Sequence, residues 1–359
     1  MKTTLRGALR ATACGVTATL LLGPGLALPA APAAAQKLTG AGATFPYPIY
    51  SKWFDMYKEK TGVEINYQSI GSGAGIQQVR AGTVDFGASD AALSNLQLKD
   101  MPRRVVHFPT VAGSVALAYN LPGMDQPLRL TPDVITAIYM GKITMWNDKR
   151  IAAANPGAAM PAAPILPVHR SDGSGTTNIF VTYLSAVSPE WKELVGAGTS
   201  VSWPAGVGGK GNEGVSGVVR QTPGAIGYVE LAYADQNHLP VTLVRNKSGN
   251  FVKPSLASTT AAVLGSAAQL AKDVRTPIVD GPTPDAYPIA GLTFLLVYQD
   301  QKEPVKARAL VNFISWAMAD GQAVAEGLNY AKLPEAVIKV NLVTLGTLSS
   351  NGKKLLAGS

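Results

Sequence analysis

The chain has 359 residues, of which 47% are hydrophobic and only 15% are charged, and its formal net charge is +8. This composition is typical of one or two globular domains with a sizeable core and argues against disorder. No run of five lysines or arginines occurs, and aromatic residues are not interleaved with basic patches, so the sequence does not favour binding of nucleic acids. We expect two domains.

Residues 1–35 have the pattern of a secretory signal peptide. The segment 15–28 is mostly apolar, and the alanines at 33–35 offer a cleavage site. A Gly-Pro-Gly sequence interrupts the apolar stretch before it reaches the roughly 20 residues that a spanning helix needs, which disfavours a membrane anchor. Removal of this segment would lower the formal charge from +8 to +5, because its charged residues are Lys2, Arg6 and Arg10.

The sequence offers little to a metal ion or a cofactor. Cys14, the only cysteine, lies inside the predicted signal peptide, so the mature chain would have neither disulfide bonds nor a cysteine metal site. The histidines lack the spacing of metal ligands and are interpreted as surface or core residues: His107, His169 and His238. We therefore predict no metal and no cofactor.

Helices, strands and glycine-bearing loops alternate along the chain, beginning with a loop at 40–45. Apolar spacing predicts helices at 49–60, 76–80, 132–139, 177–184 and 305–318. Strands are predicted at 63–67, 85–88, 115–119, 165–169, 226–229 and 292–298. Gly62 is placed as a helix C-terminal glycine, and Thr131 as a helix N-cap. This alternation predicts an α/β sheet with ligands at strand C-termini and helix N-termini.

Two further stretches are ambiguous. The glycine-rich stretch 202–217 is interpreted as a surface loop before a helix capped by Asn212, with the lining of a cleft as the alternative. The segment 257–271 is rich in alanine and serine and is interpreted as a solvent-facing helix or a connector.

Three glycine loops, at 40–45, 71–75 and 173–176, each precede a helical pattern. Each therefore places free backbone N–H groups and a hydroxyl at the positive end of a helix dipole, where an anion is the natural ligand. One such loop alone is commonly a plain N-cap. Three in one chain are more persuasive, and Arg170 adds a planar fork suited to a bidentate oxyanion contact.

Other readings of these loops are weaker. The spacing of G-x-G-x-G at 71–75 does not match a dinucleotide fingerprint, and no Walker lysine is present. Ser72 or Ser174 could serve as the nucleophile of a secreted phosphoester hydrolase, but neither has a G-x-S-x-G elbow or a recognisable general base beside it.

Two carboxylates, Asp90 and Asp172, remain to be explained. A carboxylate repels a fully ionised oxyanion, but it accepts a hydrogen bond from an oxyanion that still carries a proton. Phosphate retains a proton near neutral pH and sulfate does not, so such a carboxylate would select for phosphate. Spacing alone does not decide between the two. We interpret Asp172 as the ion-pair partner of Arg170 and Asp90 as the proton acceptor.

Seven motifs, occurring in order, resemble the phosphate-specific periplasmic binding proteins of ABC transporters. The motifs are GAGATFPYPIYSKW, INYQSIGSGAGIQQ, TVDFGASDAALS, GKITMWND, RSDGSGTTNIF, GGKGNEGV and TPGAIGYVELAYA. The resemblance runs through most of the mature chain and is strongest from Leu38 to Tyr233. It implies a two-lobed type II binding-protein fold, with the ligand clasped in the cleft and the loaded protein docking on a membrane permease.

The resemblance also implies the site. The phosphate-binding residues would be Thr44, Phe45, Ser72, Asp90, Arg170, Ser174, Gly175 and Thr176. Phe45 would contribute its backbone N–H, Asp90 would accept the phosphate proton, and Asp172 would support Arg170. The chain has Ala91-Ala92 where the family often has a proline, and His169 where a second basic residue can stand.

In such a fold the chain crosses between the lobes twice, here near 111–113 and 285–288. Domain 1 would comprise 36–112 plus 285–359, and domain 2 would comprise 113–284. We expect a monomeric, non-enzymatic periplasmic protein that captures inorganic phosphate and delivers it to the ABC permease subunits of the inner membrane. The alternatives are the phosphoester hydrolase, a binding protein for sulfate or molybdate, and an adhesion protein built on the same fold.

Overall fold

The computed structural model of the protein describes residues 37–124 and 126–356. The predicted signal peptide at 1–35 lies outside the described residues. Within the described ranges, none of the helices combines the length and the apolar character that crossing a membrane requires.

The described residues form a mixed α/β structure. The strands are β1 Lys37–Gly42, β2 Glu64–Ser69, β3 Phe86–Ser89, β4 Val105–Tyr119, β5 Arg129–Leu130, β6 Leu166–Arg170, β7 Val207–Gly209, β8 Ala225–Glu230, β9 Leu243–Arg245, β10 Phe251–Val252, β11 Ala290–Tyr298, β12 Asp300–Gln301, β13 Ser349–Ser350 and β14 Lys353–Lys354. The α-helices are α1 Tyr47–Thr61, α2 Ser72–Ala81, α3 Asn95–Lys99, α4 Pro132–Tyr139, α5 Lys149–Ala154, α6 Gly175–Val187, α7 Pro189–Leu194, α8 Gly211–Gln221, α9 Leu231–Gln236, α10 Leu256–Gly265, α11 Ala267–Lys272, α12 Pro304–Met318 and α13 Glu335–Leu345. Two short 3₁₀ helices occupy Asp320–Val324 and Glu326–Leu328.

Eight strands form one sheet in the order β2-β1-β3-β11-β4-β8-β6-β7. The long strand β4 changes its partner along its length, pairing antiparallel with β11 over 105–114 and with β8 over 115–119. One half of the sheet therefore holds β1, β2, β3 and β11, and the other holds β6, β7 and β8. This is the predicted two-lobed α/β architecture, with β4 shared between the halves.

The first half has an aromatic core formed largely by one face of α1. Tyr50 and Trp53 of this helix are almost completely buried, and their rings stack with centroids 5.6 Å apart. Each large apolar side chain buried in this way contributes roughly 1.5–3 kcal/mol to folding. The helix ends where Gly62 adopts φ 74° and its N–H bonds the carbonyl of Lys58, as the sequence predicts.

The second half has its own aromatic core, and that core reaches the strand that precedes the third glycine loop. Phe180 of α6 stacks on Tyr228 of β8 with centroids 4.5 Å apart. The Tyr228 hydroxyl accepts from the Arg170 amide at 2.9 Å and pairs with the Thr177 hydroxyl at 2.7 Å. Packing of the core thus fixes both the end of β6 and the first turn of α6.

The predicted helices at 49–60 and 305–318 and the predicted strands at 226–229 and 292–298 agree with α1, α12, β8 and β11. The prediction of a loop at 40–42 is wrong, because these residues belong to β1. Gly40 leaves room for the ring of Phe86, since a Cβ on Gly40 would lie 2.3 Å from that ring. The glycines that suggested a loop therefore allow close packing within a buried strand.

Other boundaries also differ from the prediction. Helix α2 begins at Ser72 rather than at residue 76, and β4 begins ten residues before the predicted strand at 115–119. Thr131 occupies the N-cap of α4, but its side chain makes no capping hydrogen bond. The segment 257–271 forms the two helices α10 and α11, which are separated at Ser266.

The surface-loop interpretation of 202–217 is wrong over its second half. Residues 207–209 form β7, which pairs with β6, and α8 follows directly. Lys210, not Asn212, occupies the N-cap of α8. Asn212 lies inside the helix and is fully buried, because its side chain has partners on other parts of the chain.

Candidate ligand site

Four loops, each following a strand of the large sheet, meet at one place. We call them L1 (43–46, after β1), L2 (70–71, after β2), L3 (90–94, after β3) and L4 (171–174, after β6). L1, L2 and L4 lead into helices α1, α2 and α6, so three helix N-termini point into the same region. The eight residues that the sequence analysis singled out are all buried here: Thr44, Phe45, Ser72, Asp90, Arg170, Ser174, Gly175 and Thr176.

The loops of the two halves touch each other through glycines. The Gly73 N–H donates to the Gly173 carbonyl at 2.8 Å, and the Gly175 N–H donates to Ser72 Oγ at 3.0 Å. A Cβ on Gly175 would lie 2.5 Å from Ser72 Oγ and from the Asp90 carboxylate. Glycine is required at 175 because no side chain fits between the two halves.

The hydroxyl oxygens of the site all accept hydrogen bonds from N–H groups of the protein. Ser72 Oγ accepts from the amides of Asp90 at 3.2 Å and of Gly175 at 3.0 Å, and Ser174 Oγ accepts from the Thr177 amide at 3.0 Å. A hydroxyl has a single proton, so an oxygen that accepts from N–H groups directs its own proton elsewhere. The two serines are therefore arranged as donors.

The threonine hydroxyls are held in the same way. Thr44 Oγ1 accepts from the side-chain amide of Asn212 at 2.8 Å. Thr176 Oγ1 accepts from Arg170 Nη1 and from Asn212 Nδ2, both at 3.3 Å. Together with the serines, the site presents four hydroxyl protons and one guanidinium, a set that suits an acceptor-rich anion.

Arg170 is buried and is held in a fixed orientation. Its Nε and Nη2 donate to the two carboxylate oxygens of Asp172 at 2.8 and 2.5 Å, and Asp172 also accepts from the Gly211 amide at 3.0 Å. Burial raises the pKa of Asp172, but the hydrogen bonds and the charge of Arg170 outweigh this effect, so the pKa is lowered overall. Asp172 is thus an ionised partner that fixes the guanidinium, as the sequence analysis interpreted it.

Asp90 lies in a different environment. The residue is 5% exposed, its Oδ1 has no hydrogen-bond partner within the described residues, and no cation bonds it there. Burial raises the pKa of Asp90 to about 7, although the Thr293 hydroxyl, the charge of Arg170 and the Ser72 hydroxyl oppose the shift. This carboxyl group can therefore hold or release a proton near neutral pH, which is the property needed to share a proton with a ligand.

Sequence reasoning missed the structural role of Asn212. This residue bonds both Thr44 and Thr176, and its Oδ1 accepts from the Glu230 amide at 3.0 Å. Its partner Thr44 is 168 residues away in the chain, so no local spacing could reveal the contact. The motif GGKGNEGV contains Asn212, but its glycines suggested a surface loop, so the residue was not assigned to the site.

Tyrosines hold L1 from outside the site. The Tyr233 hydroxyl donates to the Thr44 carbonyl at 2.7 Å, and the Tyr330 hydroxyl donates to the Phe45 carbonyl at 2.6 Å. With both carbonyls bonded behind it, L1 presents its backbone in one fixed conformation.

Comparison with known proteins agrees with this architecture. The family model of the PBP superfamily domain matches residues 29–320. The phosphate-binding protein PstS of Pasteurella multocida is 44% identical over 324 residues, covering 89% of this chain and 94% of that protein. The phosphate-binding protein PstS of Xylella fastidiosa strain 9a5c is 46% identical over 304 residues, covering 84% and 83%.

A solved structure shares the fold at lower identity. The crystal structure of the ancestral soluble variant of the human phosphate-binding protein is 20% identical, covers 87% of this chain and 99% of its own, and superposes with a TM-score of 0.69. From the family model and the two relatives, the chain belongs to the PstS family of phosphate-binding proteins within the PBP superfamily.

Proposed function

We propose that this protein is a solute-binding protein that captures inorganic phosphate in the cleft between its two lobes and supplies it to an ABC importer. One observation carries the proposal: four buried hydroxyl protons and a fixed guanidinium converge beside a buried carboxyl group whose pKa is about 7. The donors stabilise the anion, and the carboxyl group requires that the ligand exchange a proton with it.

The proposed ligands are the eight residues named from the sequence. Ser72, Ser174 and the threonines would donate their hydroxyl protons, and Arg170 would donate from its guanidinium. The backbone N–H group of Phe45 would complete the donor set at the N-terminus of α1. Asp90 would accept the phosphate O–H, so sulfate, which has no proton to donate, would meet an unpaired and buried carboxylate.

The domain division is also part of the proposal. We assign 36–112 plus 285–359 to one domain and 113–284 to the other, because β4 changes its partner at Ser114 and Val115, close to the first boundary. The contacts of Gly73 with Gly173 and of Ser72 with Gly175 then cross between domains and fasten the closed cleft. A binding protein that opens and closes in this way can report its loaded state by its shape.

The protein is a binding protein rather than an enzyme. Ser72 accepts from two amides, and Ser174 caps α6, so each serine oxygen bonds N–H groups instead of a general base. We further propose that the protein is exported by residues 1–35, acts in the periplasm as a monomer, and docks on the permease subunits in the inner membrane.

Calorimetric titration of the mature protein, stripped of bound ligand, with phosphate and separately with sulfate tests the proposal. At pH 9, where Asp90 is ionised and phosphate still carries a proton, we expect tight binding of phosphate and at least about a hundredfold weaker binding of sulfate. Equal binding of both anions would reject the role of Asp90, and no heat with phosphate would reject the function. Incubation with a chromogenic phosphoester should give no turnover, and turnover that disappears in Ser174→Ala would revive the hydrolase.

A further inference from the structure

Asn212 occupies an unusual position among the residues of the site. It is the second residue of α8, is fully buried, and lies between Thr44 of L1 and Thr176 of α6. Its Nδ2 donates to Thr44 Oγ1 at 2.8 Å and to Thr176 Oγ1 at 3.3 Å, and its backbone N–H lies 3.3 Å from Thr44 Oγ1. Under the proposed domain division, these threonines belong to opposite lobes.

The orientation of the Asn212 side chain is fixed from behind. Its Oδ1 accepts from the Glu230 N–H at 3.0 Å, so the amide nitrogen must face the threonines. Glu230 is paired in register with Val115, where β4 passes from one half of the sheet to the other. The amide is therefore anchored to the part of the sheet that both halves share.

This arrangement dictates where the threonine protons point. An Asn Nδ2 group can only donate, so each threonine oxygen must accept from it, and neither hydroxyl proton can be used on Asn212. Thr176 also accepts from Arg170, which leaves its proton directed away from both donors. A carboxylate at 212 would do the opposite, because it would accept the two threonine protons and remove them from the anion.

We infer that Asn212 is a positioning residue that sets the donor polarity of Thr44 and Thr176 and joins the two lobes when the cleft is closed. The inference rests on the proposed function, since it concerns how the same site recognises phosphate. Asn212 need not touch the ligand. It acts through the two hydroxyls, and this distinguishes it from a residue that merely fills space.

The test compares Asn212→Asp with Asn212→Ala by titration with phosphate at pH values between 9 and 5. For each variant, Kd is divided by the Kd of the wild-type protein at the same pH. The ratio cancels the titration of phosphate itself. The charged or titratable groups around position 212 are Arg170, Asp172, Glu213, Glu230 and Tyr233, and they are common to all three proteins.

We expect Asn212→Asp to weaken binding about a hundredfold at pH 9, with the ratio shrinking to about tenfold at pH 5 as the new carboxyl group gains a proton that it can donate. Asn212→Ala should weaken binding about tenfold at every pH. A loss for Asn212→Asp that is the same at all pH values would overturn the inference.

A second measurement does not depend on the aspartate variant folding. If Asn212 acts through Thr44, then Asn212→Ala should cost less than about threefold in a Thr44→Val background, against about tenfold in the wild-type background. Equal costs in both backgrounds would overturn the inference.

Asn155 offers a matched control, because it is also buried and bonds backbone groups away from the site and from the proposed crossings, at Arg129 and Ile151. Asn155→Ala should lower the melting temperature and leave Kd for phosphate unchanged. A wild-type protein that fails to bind phosphate would overturn the proposed function itself. A wild-type protein that binds, with position-212 variants that bind equally well, would overturn only the present inference.

Discussion

Two aspartates lie within the same site and have opposite environments. Asp172, at the start of L4, receives two hydrogen bonds from Arg170 and one from the Gly211 amide, and its pKa is lowered. Asp90, at the end of β3, is buried with one oxygen unpartnered among the described residues, and its pKa is raised to about 7. Asp172 therefore stays ionised near neutral pH, whereas Asp90 can gain or lose a proton there.

The difference separates two tasks that one residue could not perform together. A permanently ionised aspartate can hold a guanidinium in place, but it cannot respond to whether the ligand carries a proton. A carboxyl group without a cationic partner can respond, because its proton is shared with the ligand. Orientation of the donor is thus assigned to Asp172, and we assign recognition of the ligand proton to Asp90.

The sharpest test of this contrast is Asp90→Asn. An asparagine can donate to a fully ionised oxyanion, so at pH 9, about two units above the pKa of Asp90, we expect the ratio of sulfate to phosphate affinity to rise about a hundredfold. Paired calorimetric titrations of the variant and the wild-type protein measure this ratio. Unchanged selectivity would show that the proton acceptor lies elsewhere.

Gly175→Ala tests whether the two halves must meet beside Asp90. The new methyl group would lie 2.5 Å from Asp90 and Ser72, so the cleft could not close, and we expect a loss of phosphate affinity of about a hundredfold. Gly217→Ala is the matched control, because a Cβ at that helical position meets nothing within 4 Å. Similar affinities of the two variants would contradict the closed arrangement.

The stability of the unliganded protein should depend on pH through Asp90. A carboxyl group whose pKa rises from 3.8 to about 7 on folding stabilises the protein fully below pH 3.8, and this contribution disappears as pH rises through about 7. The wild-type protein should therefore lose roughly 3–4 kcal/mol relative to Asp90→Asn between pH 4 and pH 8. Urea unfolding of both proteins across this range measures the difference, and a difference independent of pH would contradict the raised pKa.

Asp172→Asn should have the smallest effect, and the effect should be on the stability of the unliganded protein rather than on selectivity. Arg170 would keep its buried charge but lose one hydrogen bond to a charged acceptor, so we expect the unliganded protein to lose about 1.5–3 kcal/mol. Phosphate would then supply the missing charge and restore the stability, while selectivity against sulfate stays as in the wild-type protein. Thermal unfolding with and without phosphate measures this, and loss of selectivity would contradict the division of tasks.

Much of the fold follows from local patterns in the sequence. The helices α1 and α12 have clear apolar periodicity, and β8 and β11 are continuous apolar runs. Strand β1 escaped prediction because Gly40 makes room for the ring of Phe86 and Gly42 for the backbone of Ala88, neighbours that are distant in sequence. Glycine occurs both in turns and in closely packed strands, and only the residue that packs against it in the fold distinguishes the two cases.

The candidate site was predictable for a different reason. The segments 40–45, 71–75 and 173–176 combine glycine, hydroxyl groups and a helix start, a pattern that is local and therefore visible. Asn212 carries no such signal, because its role depends on threonines from two other segments. The structure brings all eight predicted residues together, and their role as phosphate ligands stays a prediction until binding is measured.

The four hydroxyl groups all direct their protons toward the proposed ligand, and this determines how ionic strength should affect the rates of binding and release. The attraction of such dipoles acts over a few ångströms, which is shorter than the Debye length of about 8 Å at physiological ionic strength, and the site is buried from the counterions that screen surface charges. Added salt should therefore hardly accelerate the escape of a bound anion. It should slow the arrival of the anion, because the approach is guided by the net positive charge of the whole chain.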